Sequence, residues 1–365
     1  MNDKRYQVAL SLLPKVGGAT CRQLLSYIGS AEKIFNSSFS DLIHVPQIGE
    51  KTARNILAHL DTALSEAETE LAICQQHNIQ PLFLSDTAFP TRLRNHHDCP
   101  IILYYKGNAN LNASKVVSVV GTRNSTEYGK RITSLMISEL QKLDDILIIS
   151  GLAYGIDICA HRACLEHQIP TVGIMANGLK MVYPNAHYQT AQTITQNGGL
   201  LTENPFHSKP DGAKFPARNR IIAGMSDAVI VVEAKAKGGA LITAEFANDY
   251  GVEVFTFPGR ITDTASEGCL NLIKQHKANL ITDTEDLIQH MNWDKGNSQP
   301  IQKKIFIDLS PQEQMIMQLL HNSPMLIDDL CLQSKIPMGK LSGILLQLEF
   351  HGIVKPLPGK KYILT

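Results

Sequence analysis

The sequence has no excess of charge of either sign. Its 365 residues include 34 Lys and Arg against 34 Asp and Glu, so the formal net charge is zero at pH 7. This balance excludes a polycation of the histone type. It does not exclude a local basic groove, because acidic residues elsewhere in the chain can offset the charge of such a groove.

Long apolar runs and paired cysteines are also absent from the sequence. No uninterrupted apolar stretch reaches the ~18 residues that a membrane-spanning helix needs, and no secretory signal pattern is found at the N-terminus. The seven cysteines are scattered without a CxxC pair, which disfavours both a disulfide framework and a structural zinc site. The sequence predicts a cytoplasmic protein with no membrane association, no metal and no cofactor, in which cysteines are small buried hydrophobes.

Residues 1–66 contain two short helical patterns, each preceded by a glycine turn, at Leu13–Gly18 and Val45–Lys51. The second has the pattern hxxhGxxxAxxI, which is typical of a SAM-like or helix-hairpin-helix domain. In such a domain, backbone N–H groups at a helix N-terminus approach a phosphate. A small helical domain that serves only for packing has the same pattern, and both interpretations stay open.

Between residues 67 and 293, short apolar runs alternate with helical patterns. The runs are 116–120, 146–149, 171–175, 199–202, 228–232 and 252–257. They are rich in Val, Ile, Leu and Thr, and most are followed by glycine and an amphipathic stretch, as buried parallel strands are. The pattern predicts an α/β fold with an extended Rossmann-like, doubly wound and mostly parallel sheet. Its ligand site should lie outside the carboxyl ends of the strands.

The C-terminal part of the chain is predicted to be a separate domain. Residues 294–304 have no apolar periodicity and are predicted to be a linker. Residues 305–365 contain three helical patterns and then a hairpin pattern with a basic tip, which together predict a winged helix. The predicted recognition helix carries only Lys340 as a cation. This composition favours contact with protein, or weak contact with DNA, over sequence-specific reading of bases.

The first segment with binding chemistry follows the strand predicted at 116–120. Gly121, Thr122 and Arg123 lie between this strand and a predicted helix. The segment is not GxGxxG, so it lacks the dinucleotide fingerprint. Small residues followed by Arg at a helix N-terminus nevertheless suit an anion, although an Arg in a surface loop is common and the segment alone decides nothing.

The second segment, SGLAYGID, leads into a helix that carries His161. Asp157 and His161 are four residues apart and share a helix face, so a catalytic pair is conceivable. A capping Asp157 and a packed His161 are favoured, because the sequence offers no nucleophile or third partner for them.

The third segment, KPDGAKFPARNRIIAG at 209–224, concentrates positive charge in a neutral chain. Its charged residues are Lys209, Lys214, Arg218 and Arg220 against Asp211. Phe215 lies among them. Cations with an interleaved aromatic ring are what a single-stranded nucleic acid site needs, since the ring offers a stacking face worth ~1–3 kcal/mol per base. A helix with Phe215 in the core and a solvated outer face has the same composition, and the two interpretations stay open.

The fourth segment follows the strand predicted at 228–232. Gly238 and Gly239 begin a helix, Thr243 lies one turn further on, and Lys235 and Lys237 precede the glycines. Paired glycines at a helix N-terminus form a cradle for a phosphate. With the other segments on adjacent strand ends, several anion-binding elements are predicted to meet at one edge of the sheet.

Together these motifs resemble the DNA-processing protein A family, also called DprA or Smf. The matching strings are VVGTR, SGLAYGID, LLTENPF, FPARNRIIAG, VVEAKAKGGALITAEFA and the FPG of 257–259, in the family's order and spacing over about 81–290. The resemblance implies a protein without catalytic activity that binds single-stranded DNA entering the cell in natural transformation. It also implies that the protein protects this DNA and loads the RecA recombinase onto it.

The resemblance further implies roles for individual residues. Gly121, Thr122 and Arg123 would hold a phosphate; Lys214, Phe215, Arg218, Asn219 and Arg220 would form the nucleotide pocket; and Gly238, Gly239 and Thr243 would form its floor. A homodimer through the Rossmann domain is implied at 267–280. After Tyr183 and Pro184, where many members have a basic residue, this chain has Asn185, so attraction for the DNA backbone is expected to be weaker there.

An enzyme is the alternative function. The string Gly238, Gly239, Thr243 and Glu245 resembles, more loosely, Rossmann-type nucleoside-monophosphate phosphoribohydrolases of the lysine-decarboxylase-like group. Those chains are much shorter, and their usual motif is PGGxGTxxE. Lys237 and Ile242 replace the proline and the last glycine of that motif. The sequence therefore favours a binding protein for single-stranded DNA.

Overall fold

The computed structural model describes residues 2–293, 310–320, 325–350, 353–357 and 361–364. The chain forms two compact units, residues 1–293 and residues 294–365. The predicted linker at 294–304 and the hairpin tip at 358–360 lie outside the described residues. Within the described ranges, no helix has both the length and the apolar character that crossing a membrane requires.

Within residues 2–79, five helices precede the sheet. They are α1 (Asn2–Leu12), α2 (Gly18–Ile28), α3 (Ala31–Phe35), α4 (Phe39–Ile43) and α5 (Glu50–Gln76). The two predicted glycine turns are present before α2 and α5. In each turn a residue of positive φ, Lys15 or Gln47, lies two positions before the N-cap glycine. The predicted boundary at residue 66 lies inside α5, so the division between 1–66 and 67–293 stays a prediction.

Within residues 2–293, a nine-stranded sheet forms the centre of the first unit. Its strands are β1 (Gln80–Phe83), β2 (Ile102–Gly107), β3 (Lys115–Val120), β4 (Ile146–Ser150), β5 (Thr171–Ile174), β6 (Gly198–Thr202), β7 (Ala228–Val231), β8 (Glu253–Thr256) and β9 (Asn279–Leu280). The strand order is β1-β2-β6-β5-β4-β3-β7-β8-β9. Strands β3 to β9 are parallel, whereas β1 and β2 add an antiparallel edge. The predicted Rossmann-like, mostly parallel sheet is confirmed.

Helix α5 connects the N-terminal helices to this sheet. Its buried residues Ala53, Ile56 and Ala63 belong to one hydrophobic core with Tyr104 of β2 and Phe206. Because this core contains side chains of both the helices and the sheet, the two parts form a single compact unit.

Helices cover both faces of the sheet. They are α6 (Thr91–Arg94), α7 (Glu127–Leu140), α8 (Ile156–Glu166), α9 (Tyr188–Ile194), α10 (Lys214–Gly224), α11 (Gly239–Asp249), α12 (Glu267–Lys274) and α13 (Thr284–His290). In β3, Val116 and Val120 belong to the core on one face, and Val117 and Val119 to the core on the other. Successive side chains of a strand point to opposite faces, so a strand that is buried on both faces is an uninterrupted apolar run.

The strand order reverses at β3. The chain continues from β3 through β4 and β5 to β6 on one side, and then returns to place β7, β8 and β9 on the other. In open α/β sheets, ligands bind in the crevice outside the carboxyl ends of the strands at which the order reverses. For this protein that crevice lies beyond Val120 of β3 and Val231 of β7.

All seven cysteines are free thiols, and five of them are buried. Burial raises the pKa of Cys21 and of Cys99 to about 12. These two thiols are therefore protonated at neutral pH and act as small apolar side chains in the cores.

The described residues of the second unit form a small domain of helices and a three-stranded sheet. Its elements are α14 (Pro311–Leu320), β10 (Met325–Leu326), α15 (Ile327–Ser334), α16 (Met338–Phe350), β11 (Val354–Leu357) and β12 (Lys361–Leu364), with the strand order β10-β12-β11. Ile316, Leu330, Leu341 and Leu348 lie in its core. The predicted winged-helix domain is confirmed.

Candidate functional site

A pocket of about 590 Å³ opens outside the carboxyl ends of β3 and β7. The loop after β3, one face of α10, the loop after β7 and the start of α11 line this pocket. The predicted site residues in the lining are Gly121, Thr122, Arg123, Phe215, Arg218, Asn219, Gly238, Gly239 and Thr243. Motifs that are distant in the sequence therefore meet at the crevice where the strand order reverses.

Gly238 and Gly239 form an open floor at the N-terminus of α11. A Cβ atom on Gly238 would meet no atom within 4 Å, and on Gly239 its nearest neighbour would be Nδ2 of Asn219 at 3.8 Å. Neither glycine is therefore required by close packing of the protein itself. Their missing side chains leave room for a ligand beside the backbone N–H groups of the helix N-terminus, where an anion is stabilised.

Thr243 lies one turn into α11 and is almost fully buried. Its hydroxyl donates a hydrogen bond to the carbonyl oxygen of Gly239 at 3.3 Å. This bond turns the hydroxyl toward the helix backbone and leaves its lone pairs as acceptors, so Thr243 shapes the floor more than it offers a donor.

Arg218 is buried and holds neighbouring segments together through hydrogen bonds, so it is not an exposed cation. Its side chain is 6% exposed, and Nη1 donates hydrogen bonds to the carbonyl oxygens of Gly151, at 2.6 Å, and of Ile174. Nε donates to Oδ1 of Asn219 at 3.2 Å, and Nδ2 of Asn219 donates to the carbonyl oxygen of Gly239 at 3.0 Å. Arg218 and Asn219 thus join α10 to the ends of β4 and β5 and to the start of α11.

Asp157 lies in the pocket wall opposite Arg218. Its Oδ2 accepts hydrogen bonds from the backbone N–H groups of Gly151, at 3.1 Å, and Ala153, at 3.4 Å. The sequence favours Asp157 as a helix cap, but the N-cap of α8 is Gly155, so this prediction is wrong. Burial raises the pKa of Asp157, while Arg218 and the two N–H groups lower it. Burial also lowers the pKa of Arg218 to about 10, Asp157 opposes that shift, and Arg123 adds to it.

His161 lies on α8, four residues after Asp157. Among the described hydrogen bonds, none joins the two side chains. His161 is fully buried, and its Nδ1 donates to Oγ1 of Thr171 at 2.8 Å, because that hydroxyl already donates to the carbonyl oxygen of Ile148. Burial lowers the pKa of His161 to about 3, so the ring is neutral at pH 7. Asp157 therefore bonds to the loop after β4 and His161 to β5, and the two are not arranged as a catalytic pair.

Glu233 positions the Gly121–Arg123 loop, although it is not among the residues predicted for the site. Its backbone carbonyl accepts from the N–H of Thr122 at 2.8 Å. Its carboxylate accepts from the N–H of Thr126 at 2.9 Å and from the hydroxyl of Thr126 at 2.5 Å. One signal for it was available in the sequence. Glu233 comes two positions after a buried strand, in a segment whose other charged residues are all lysines.

Three exposed cations, Arg123, Lys235 and Lys237, line the pocket mouth and are called the rim cations. The guanidinium of Arg123 lies 5.6 Å from the centroid of the half-buried Phe215 ring, within range of a cation–π contact. Among the residues that the structure describes, none of the ion pairs involves a rim cation. The mouth therefore combines a half-buried aromatic ring with positive charge that no carboxylate of the described ranges pairs with.

Lys214 and Arg220 lie outside this pocket, although the family resemblance implies that both belong to it. Arg220 is two residues beyond Arg218, about 200° further around α10. It forms a largely buried ion pair with Glu203. Lys214, the first residue of α10, donates from Nζ to the carbonyl oxygen of Lys209 at 3.4 Å. Conversely, Lys235 and Lys237 line the pocket, although neither is among the residues predicted for the site.

Three family models match the chain. Residues 80–292 match the model described as DNA recombination-mediator protein A. Residues 307–360 match the DprA winged helix domain, and residues 8–62 match a SAM-like helix-hairpin-helix tandem.

The chain is also similar to individual proteins. It is 32% identical to Protein Smf of Synechocystis sp. over 99% of this chain and 98% of that protein. It is 39% identical to the DNA processing protein DprA of Streptococcus pneumoniae over 57% of this chain and 73% of that protein.

Two solved structures resemble the fold. The DNA processing protein A of Streptococcus pneumoniae shares 30% identity at a TM-score of 0.64, covering 78% of this chain and 97% of that one. The Helicobacter pylori protein, described for its single-stranded DNA binding mode, shares 29% identity at a TM-score of 0.53, covering 59% and 95%. With a family model over more than half of its length and a relative matched from end to end, the chain belongs to the DNA recombination-mediator protein A family, DprA/Smf.

Proposed function

We propose that this protein binds single-stranded DNA at the pocket between β3 and β7, without catalysing a reaction on it. The observation that carries the proposal is the position of Arg123 over Phe215 at a pocket mouth lined by exposed cations. The single-stranded DNA binding mode described for the Helicobacter pylori relative supports it.

Each part of the mouth suits one part of a nucleotide. A phosphate fits above Gly238 and Gly239, where backbone N–H groups and the rim cations attract it. A base fits against the accessible face of Phe215, where stacking contributes ~1–3 kcal/mol. In a duplex the bases are already stacked and paired, so the ring has no free base face to contact. This arrangement therefore favours single strands.

The finer role we propose is in natural transformation. The protein protects incoming single strands in the cytoplasm, loads the RecA recombinase onto them, and acts as a homodimer through its Rossmann domain at 267–280. Strand β9 lies at the edge of the sheet within this stretch, and its Leu280 is half exposed, which supports a contact there. Strand exchange by RecA on strands coated with a single-strand-binding protein measures the loading.

The phosphoribohydrolase alternative has less support from the site. Glu245, the acid of the string that resembles those enzymes, is exposed on α11 and does not line the pocket. Asp157 does line it, but Oδ2 of its carboxylate accepts hydrogen bonds from two backbone N–H groups, and the charge of Arg218 lowers its pKa. Release of free base from nucleoside monophosphates incubated with the protein would favour the enzyme.

The test of binding is fluorescence anisotropy with matched single-stranded and duplex oligonucleotides over a range of salt concentrations. We expect tighter binding of the single strand, with the logarithm of affinity falling at a slope of about −0.7 per phosphate contacted. An affinity that does not depend on salt, or an equal preference for duplex, would contradict the proposal.

A further inference from the structure

Tyr183 extends the aromatic surface of the site beyond the pocket. It lies in the segment between β5 and α9, does not line the pocket, and is 49% exposed. Its ring centroid is 5.5 Å from that of Phe215, with 50° between the ring planes. Arg123 and Tyr183 are therefore both neighbours of Phe215, and Tyr183 extends the aromatic surface past the residues that line the pocket.

The backbone on the N-terminal side of Tyr183 is firmly anchored. Asn177 is buried, and its Nδ2 donates to the carbonyl oxygens of Gly178 at 2.9 Å and Met181 at 2.7 Å. The N–H of Gly178 donates to the carbonyl oxygen of Ser208 at 2.9 Å, which ties the segment to the strand-end loop after β6.

The backbone on the C-terminal side is anchored as well. The N–H of His187 donates to the carbonyl oxygen of Pro184 at 3.0 Å. Nδ1 of the same buried His187 donates to the carbonyl oxygen of Leu152 at 2.9 Å. A ring held on both sides in this way meets a base without the entropy cost of ordering a loop.

The distance between the two rings determines how bases can contact them. A base inserted between two rings needs a separation of about 7 Å, since each stacked contact takes about 3.5 Å. The 5.5 Å between the centroids, and the tilt, leave no room for such a base. Phe215 and Tyr183 can instead each offer an outer face, one to each of two bases.

We propose that Tyr183 is a second base-stacking position for single-stranded DNA, taken by a nucleotide that leaves the pocket past Phe215. The proposal rests on the proposed function. It also gives a role to Lys214, which is next to Phe215 in sequence yet outside the pocket. Its Nζ has one hydrogen bond, a long one of 3.4 Å to a carbonyl oxygen, so the charge is available to a phosphate between the two bases.

The chain offers a matched control in Tyr188. It is also exposed, at 47%, and lies only five residues away. Its hydroxyl accepts a hydrogen bond from Nε2 of Gln192 at 2.7 Å. Among the described ring contacts, none joins Tyr188 to Phe215.

The first experiment measures affinity for thymidine oligonucleotides of increasing length. Tyr183→Ala should weaken binding ~5- to 150-fold, the ratio that the loss of one stacked base gives, without changing the salt slope. The loss should be present with oligonucleotides that extend past the pocket and absent with a single nucleotide. Tyr183→Phe and Tyr188→Ala should bind like the wild type.

The second experiment places a fluorescent tryptophan at position 183. It keeps the proposal testable if Tyr183→Ala fails to fold. The sequence contains a single tryptophan, Trp293. In Tyr183→Trp, saturating oligonucleotide should quench the added emission, whereas Tyr188→Trp should show no quenching beyond that of the wild type. An oligonucleotide with abasic sites lacks the stacked bases, so it should bind more weakly and, at saturation, should leave the emission of the tryptophan at position 183 unquenched.

The outcomes separate the two proposals. Wild-type binding of single strands, with Tyr183→Ala unchanged and Tyr183→Trp unquenched, would overturn the second position and leave the proposed function intact. Absence of wild-type binding to any single strand would overturn the proposed function, and the second position with it.

Discussion

Helix α10 and the loops after β3 and β7 differ in how they use their cations. Helix α10 carries Lys214, Arg218 and Arg220 within one short segment, yet Arg218 bonds to buried carbonyl oxygens and Arg220 pairs with Glu203. The loops also carry three cations, but these are the exposed rim cations. A local concentration of charge in a sequence therefore does not measure the charge available to a ligand.

The comparison has a physical basis. A helix packed on a sheet must turn one face inward, and arginines on that face are buried only where carbonyl oxygens or carboxylates accept their hydrogen bonds. Loops at strand ends have no such face to bury. In this site the helix organises the loops, and the loops present charge to the ligand.

The largest expected effect is that of Arg218→Ala on stability. The substitution removes the hydrogen bonds to Gly151 and Ile174 and leaves Asp157 buried without its counter-charge, which should cost about 3–5 kcal/mol. Urea unfolding at pH 7 measures the change. Arg123→Ala is the matched control and should unfold like the wild type. An unchanged unfolding free energy with lost DNA binding would instead make Arg218 a binding cation.

The second prediction is that acid lowers the folding stability through the buried residues that support the site, and not through the rim cations. His161 has a pKa of about 3 in the folded chain and of about 6.5 in the unfolded chain. Between these two values, the unfolded chain therefore binds a proton at His161 that the folded chain does not bind. Stability should therefore fall by about 1.4 kcal/mol per pH unit as the pH drops from 6.5 toward 3.

Asp157 acts in the opposite sense, because its raised pKa adds stability as the pH falls. Comparison with His161→Asn, which keeps the donor to Thr171, isolates the histidine. The variant should lose less stability than the wild type between pH 6.5 and 5. Equal losses in both proteins would exclude His161 as the cause.

The smallest expected effect compares a rim cation with a cation of the winged helix as contacts for single-stranded DNA. Arg123→Ala should weaken single-strand binding by about tenfold and reduce the salt slope by about 0.7, because one phosphate contact is lost. Lys340→Ala, which removes an exposed cation of α16, should change neither. Anisotropy titrations at two salt concentrations measure both quantities. A larger loss for Lys340→Ala would move the principal contact to the winged helix.

Several elements could be predicted from the sequence because their signals are local. Strand β4 is buried at every residue and is an apolar run in the sequence. The turns at Gly17 and Gly49 have the same backbone conformation and the same Pro-x-h-Gly pattern, where h is an apolar residue. Helix α5 was harder to delimit, since helical periodicity continues across the expected domain boundary and its packing partners come from a distant strand.

The loops that meet at the pocket were predictable for a topological reason, whereas the roles of individual side chains were not. Residues that follow parallel strands meet at one edge of the sheet, so the Gly121–Arg123 and Gly238–Gly239 segments had to be neighbours. Whether a side chain there is exposed depends on acceptors from elsewhere in the chain. Arg218 reaches the carbonyl of Gly151 and Glu233 reaches Thr126, in both cases across a long sequence separation.

The sequence by itself determined the six central strands β3 to β8, the winged helix and the edge of the sheet at which the site lies, since each follows from local periodicity and chain connectivity. Strands β1, β2 and β9, at the two sides of the sheet, lie outside the predicted apolar runs. Only the tertiary structure decided that Arg218 and Arg220 are internal, that the rim cations are available, and that Tyr183 lies beside Phe215. These are properties of long-range packing, in which a charged or aromatic side chain takes its role from the partners that the fold brings to it.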